Sequence, residues 1–126
     1  MLITNLLTLT LSAYCHCATC CGTSGQPTAS GRMPSAGVTV AIPRAFPLGS
    51  AIHIPSSAIA PNVKRGGNGK GSLKQQDGNI ASYTFIGEDR LARRYDNRID
   101  IFMASHTEAK NFGIKTNVTV KIISVK

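Results

Sequence analysis

The 126-residue sequence contains no tryptophan, only three tyrosines and four phenylalanines. Nucleic-acid binders of this size usually present aromatic stacking platforms or a recognition helix, and no stripe of base runs along a helix here. Nucleic acid is therefore not an expected partner, although Lys and Arg number 14 and the formal charge is +8. That basicity suits an anionic wall polymer or an acidic membrane surface equally well. Acids are scarce, with Asp and Glu totalling 6. Four of them, Glu88, Asp89, Asp96 and Asp100, fall within thirteen residues, which singles out that segment for carboxylate chemistry. No apolar run approaches the ~20 residues that cross a bilayer as a helix, so no transmembrane segment is expected. Leu2 to Leu11 is interrupted by Thr4, Asn5, Thr8 and Thr10 and has neither a basic flank nor a small-residue cleavage site, so it does not read as a signal peptide.

A second cysteine cluster is also missing. All four cysteines lie in Cys15-His16-Cys17-Ala18-Thr19-Cys20-Cys21, whereas a zinc ribbon needs paired knuckles. Three states remain open for Cys15, Cys17, Cys20 and Cys21: a crowded zinc site, one or two local disulfides, or reduced packed thiols. None of them supplies the appended base that marks a catalytic cysteine.

What is present is a series of short strand signals. Leu6 to Tyr14 alternates Leu7, Leu9 and Leu11 with Thr8, Thr10 and Ser12, and Val38 to Ile42, Ala51 to Ile54, Ser82 to Ile86, Arg98 to Met103 and Asn117 to Ile123 add five further runs. With 12 glycines and 6 prolines between them, the expectation is one mainly β domain over residues 1–126, built from at least six strands. One short helix is expected before the last strand, because Ser105-His106-Thr107-Glu108 is a capping box and Gly113 ends it. Residues from about 62 to 80 differ in composition, being rich in Gly, Lys and Arg, and read as a flexible basic insertion. Gly69-Lys70-Gly71-Ser72 lacks the spacing of a phosphate-binding loop.

Ala13-Tyr14-Cys15 through Cys20-Cys21-Gly22, Thr28-Ala29-Ser30-Gly31, Gly37 to Ala41, Pro47-Leu48-Gly49, Glu88-Asp89, Asn97-Arg98-Ile99-Asp100 and His106 through Phe112-Gly113 follow one another in an order and spacing that resemble the three-aspartate (3D) domain family. The resemblance covers nearly the whole chain outside the basic insertion. It implies a six-stranded double-psi β-barrel, similar to that of the murein lytic transglycosylases, and cleavage of peptidoglycan. Asp89 and Asp100 match two of the family's aspartates. The place of the first, ahead of Pro-Arg, is held by Ile42, and the glycine-rich stretch that usually follows the second is replaced by Arg90-Leu91-Ala92-Arg93-Arg94-Tyr95-Asp96.

A lytic transglycosylase needs one carboxyl group that first donates and then accepts a proton, with no cofactor. The expected assignment is Asp100 as acid/base and Asp89 as the second carboxylate. Thr28 and Ser30, small hydroxyls on a Gly-bounded loop, are candidate sugar contacts together with Gly31, Asn97 and Arg98 from the matching motifs. Asp96 reads as a solvated loop acid paired with Arg93 or Arg94, and His53 and His106 as strand and cap residues. The expected partner is the peptidoglycan glycan strand, met by a monomer in the cell envelope, outside the cell or in a phage particle. A non-catalytic wall-binding module, with affinity supplied by the basic insertion, is the alternative.

Overall fold

A computed structural model describes residues 2–15, 27–59, 74–77 and 79–125. The chain is mainly β. Its strands are β1 (Leu2–Tyr14), β2 (Thr39–Ile42), β3 (Ala51–Pro55), β4 (Lys74–Asp77), β5 (Ile80–Arg90), β6 (Arg98–Phe102) and β7 (Lys115–Val125), with helices α1 (Ser56–Ile59) and α2 (His106–Phe112). The sheet runs β2-β6-β1-β7-β3-β5-β4, and a further pairing of β2 with β5 closes six of these strands into a ring. Two pairings are parallel, β1 with β6 and β2 with β5, and the other four in the ring are antiparallel.

Strict alternation builds the interior. Leu9 and Leu11 on β1, Val40 and Ile42 on β2, Ile52 and Ile54 on β3, Phe85 on β5, Ile99 and Ile101 on β6, and Val120 and Ile122 on β7 are all buried and form one cluster. Each such side chain contributes roughly 1.5–3 kcal/mol by leaving water. Phe112 and Ala109 from α2 and Ile59 from α1 join the same cluster. The α2 start follows the capping box, with Ser105 Oγ accepting from the Glu108 backbone N–H at 3.2 Å. Gly113, at φ 72, ends the helix in a backbone region that other residues enter at a cost.

Several boundaries differ from the sequence reading. β1 begins at Leu2, because residues 2–9 pair in antiparallel register with β7, leaving Leu2 and Leu6 exposed on the outer face. β5 extends beyond Ile86 through Glu88, Asp89 and Arg90, so Asp89 lies near the end of a strand, as expected. Residues 74–77, inside the stretch read as a basic insertion, form β4 and pair with Ile80 to Tyr83; residues 62–73 and 78 of that stretch lie outside the described residues. Among the described residues no helix is long and apolar enough to cross a membrane.

Candidate active site

The two expected carboxylates are brought together by register. On β6, Asp100 stands between Ile99 and Ile101, which point into the core, so its side chain is on the outer face of the ring. On β2, Ala41 stands in the same way between Val40 and Ile42. Asp100 is the cross-strand partner of Ala41, and Ala41 is in turn the partner of Asp89 on β5. Ser12 on β1 is the partner of Asp100 on its other side. Ser12, Asp100, Ala41 and Asp89 therefore make one row across four strands.

A β-bulge sets the last member of that row. The register passes from Val40 opposite Gly87 to Ala41 opposite Asp89, so Glu88 is an extra residue on β5. Without it Glu88 would face Ala41; with it Asp89 does. Glu88 is instead buried and accepts from Thr39 Oγ1 at 2.7 Å, while Arg32 Nε lies 3.4 Å from its other oxygen. These contacts tie the 28–39 loop to β5.

Asp89 is held at both oxygens. Its Oδ1 accepts the backbone N–H groups of Ala29 at 3.0 Å and of Arg90 at 2.9 Å, and its Oδ2 accepts the Tyr14 hydroxyl at 3.2 Å. The Tyr14 ring is itself fixed edge-on to Phe102, with centroids 5.4 Å apart. Asp100 accepts the Ser12 hydroxyl at 2.6 Å. Burial pushes the Asp100 carboxyl above the usual carboxylate range; the Ser12 hydrogen bond and the Arg98 charge oppose that, and the Asp89 charge adds to it. Because Ala41 separates them, the backbones of the two acids are two strand spacings apart, roughly 9–10 Å. Burial, and not a shared proton, is thus what favours the acid form of Asp100.

Both carboxylates line a cleft of about 200 Å³ together with Tyr14, Ala41, Arg90, Leu91, Ala92 and Tyr95. Arg90 shapes one wall, as its guanidinium donates to the carbonyls of Pro43 and Phe46. The other expected contacts do not line this cleft. Thr28 is buried, and its hydroxyl donates to the Arg32 carbonyl at 2.7 Å and lies 2.8 Å from Ser30 Oγ. Gly31, at φ 89, closes the same turn. Thr28, Ser30 and Gly31 hold the turn that aims the Ala29 N–H at Asp89, and none is among the cleft-lining residues. The Asn97 carbonyl accepts from the Thr10 backbone N–H, and the Arg98 guanidinium carbon lies over the Tyr95 ring. Asp96 is exposed as expected; of its two expected partners, Arg93 and Arg94, Arg94 donates to the Tyr95 hydroxyl, and neither forms an ion pair with Asp96 among the described residues.

Ser12 and Tyr14 were not picked out by their residue types. Their spacing on an alternating strand puts them on one face, but only the parallel pairing with β6 makes that face the one that carries Asp100. Cys15 is buried, and Cys17, Cys20 and Cys21 lie outside the described residues, so neither the disulfide nor the zinc reading is addressed. Among the described residues no group of His, Cys, Asp and Glu is placed to hold a metal ion. No family model, no curated protein and no solved structure matches the chain.

Proposed function

We propose that the chain is a peptidoglycan lytic transglycosylase on a double-psi β-barrel of the three-aspartate type. The barrel reading is supported by the six-stranded ring and its two parallel pairings, which lie on either side of the antiparallel β2–β6 pair. The activity is supported above all by Asp100, a part-buried carboxyl whose pKa burial raises above the usual carboxylate range, in a cleft with a second carboxylate fixed by three donors.

In this reading Asp100 delivers its proton to the glycosidic oxygen as the bond to the sugar's anomeric carbon breaks. Asp89 stabilises the positive charge that develops on the ring. The substrate's own hydroxyl then attacks the anomeric carbon and gives its proton to the Asp100 carboxylate, which closes the anhydro ring and restores the acid. Water is not consumed, and Asp89 needs only to remain in place.

Ile42 favours the second reading, a non-catalytic wall-binding module. The residue standing where the family's first aspartate would be is fully buried in the core, so no carboxylate enters the site from there. Product analysis separates the two. Purified sacculi incubated with the protein should release anhydro-muropeptides, identified by mass, and Asp100→Asn should reduce that release on the order of 100-fold while binding to sacculi persists. Reducing-end sugars would indicate a hydrolase, and binding with no products from the unsubstituted protein would establish the binding module.

A further inference from the structure

The segment between β5 and β6 that replaces the family's glycine-rich stretch has an organisation of its own. Tyr95 lines the aspartate cleft, and the guanidinium carbons of Arg94 and Arg98 lie over its ring at 4.7 and 4.5 Å from the centroid. Arg94 Nη2 also donates to the Tyr95 hydroxyl at 3.2 Å. That hydrogen bond and the two positive charges hold the Tyr95 hydroxyl below the usual tyrosine range. Arg90 is committed to backbone carbonyls and Arg32 to Glu88, whereas among the described residues neither Arg94 nor Arg98 makes an ion pair.

A guanidinium held over a ring by a cation–π contact keeps the N–H groups that do not point at the ring or its hydroxyl available, in the planar fork that matches a carboxylate. The contact also restrains side chains that would otherwise lose rotamer freedom on binding. We infer that Arg94, Tyr95 and Arg98 form a carboxylate-binding clamp at the rim of the aspartate cleft, for an acidic group carried on the glycan. The inference rests on reading the cleft as a glycan site. Its logic is electrostatic: two aspartates repel an acidic ligand, and two cations beside them that make no ion pair among the described residues offset that repulsion and select glycans that bear acid. The acid can belong to the sugar itself or to a peptide attached to it.

The test uses the full chain with Asp100→Asn, so that binding is read without turnover. Three tetrasaccharide probes are titrated by calorimetry: neutral chitotetraose, a peptide-free muramic-acid glycan with free sugar carboxylates, and the same glycan bearing stem peptides. The clamp requires that one or both acidic probes bind on the order of tenfold tighter than chitotetraose, that Arg94→Gln removes most of that difference while leaving chitotetraose affinity unchanged, and that Arg98→Gln narrows the difference as well. A preference for the peptide-free glycan assigns the sugar acid, and a preference confined to the third probe assigns the peptide. Thermal melts check folding, and if Arg98→Gln unfolds, Arg94→Gln carries the test. Equal binding of all three probes overturns the clamp and leaves the glycan site standing, whereas no binding of any probe overturns the glycan site itself.

Discussion

Asp89 and Asp100 stand on either side of Ala41, each its direct cross-strand partner, so a single methyl group separates the two carboxylates of the cleft. Cross-strand neighbours on one face have Cβ atoms roughly 4.5–5.5 Å apart, and the space above an alanine between two longer side chains is where a ligand can reach both. Ala41→Leu should fill that space. Ala41 is buried but stands outside the core cluster, so the expected result is a protein that folds at a cost of roughly 1–3 kcal/mol from overpacking, and whose glycan affinity and cleavage both fall by roughly tenfold or more. Titration calorimetry and product release measure the two effects; unchanged values would remove the cleft from the function.

Tyr14 positions Asp89 through its hydroxyl and packs on Phe102 through its ring. Tyr14→Phe keeps the ring and removes only the donor. Cleavage should fall several-fold, because two backbone N–H groups still hold Oδ1, and stability should fall by about 0.5–1.5 kcal/mol. Denaturant titration and sacculus digestion check the pair of outcomes. A loss as large as that of Asp100→Asn would make Tyr14 a participant in the chemistry and not a positioning residue.

The ring's inward face and α2 were legible in the sequence because each is written in local order, whereas the acid pair was reached through the resemblance of Glu88-Asp89 and Asn97-Arg98-Ile99-Asp100 to the family's motifs. Ile99-Asp100-Ile101 and Val40-Ala41-Ile42 alternate visibly, and Ser105 with Glu108 spells a cap. What was not legible depends on register between distant strands. Ser12 is 88 positions from Asp100 and Tyr14 is 75 from Asp89, and nothing near either residue names its partner. The Glu88 bulge was equally hidden, since an extra residue on β5 shows only against β2. Thr28 and Ser30 carried the residue types of sugar contacts, yet their hydroxyls serve the turn that delivers Ala29 to Asp89.

Asp100 should destabilise the fold at neutral pH. Its folded-state pKa is raised, so folding favours the protonated form: stability from this group is fully present below the unfolded value near 4 and is lost as pH rises through the folded value. Asn keeps the acceptor for Ser12 and never charges. Asp100→Asn should therefore raise Tm at pH 7, with the difference shrinking to nothing below about pH 3. Melts over that range check it, and a lowered Tm at pH 7 would mean that the charged carboxylate has a stabilising partner.

Ser12 opposes the burial effect on Asp100 by donating to it. Ser12→Ala removes a hydrogen bond that favours the charged form, so the Asp100 pKa should rise further. In the proposed mechanism Asp100 starts the reaction protonated, so the alkaline limb of the pH–rate profile should move to higher pH. A profile that moves to lower pH, or does not move, would detach that limb from Asp100.

Gly87 faces the core side of β5 opposite Val40, and a Cβ there would lie 2.5 Å from Ile42 Cδ1 and 3.1 Å from both Cγ atoms. Ile42 is fully buried and β-branched, so it has little freedom to turn away. Gly87→Ala should cost roughly 1–3 kcal/mol through overpacking. The clash is worst at Cδ1, which Ile42→Val removes at a cost of about 0.5–1.5 kcal/mol on its own. The double substitution should therefore be less destabilised than the sum of the singles, with a coupling of at least about 0.5 kcal/mol in a double-mutant cycle. The same step has a functional reading, because Gly87 precedes the bulge that turns Asp89 toward Ala41. If Gly87→Ala lowers cleavage and Ile42→Val restores both stability and cleavage together, the Gly87–Ile42 contact sets the register that aims Asp89. Additive stabilities would show that the core relaxes around the added methyl and that the bulge is held by the Glu88 contacts alone.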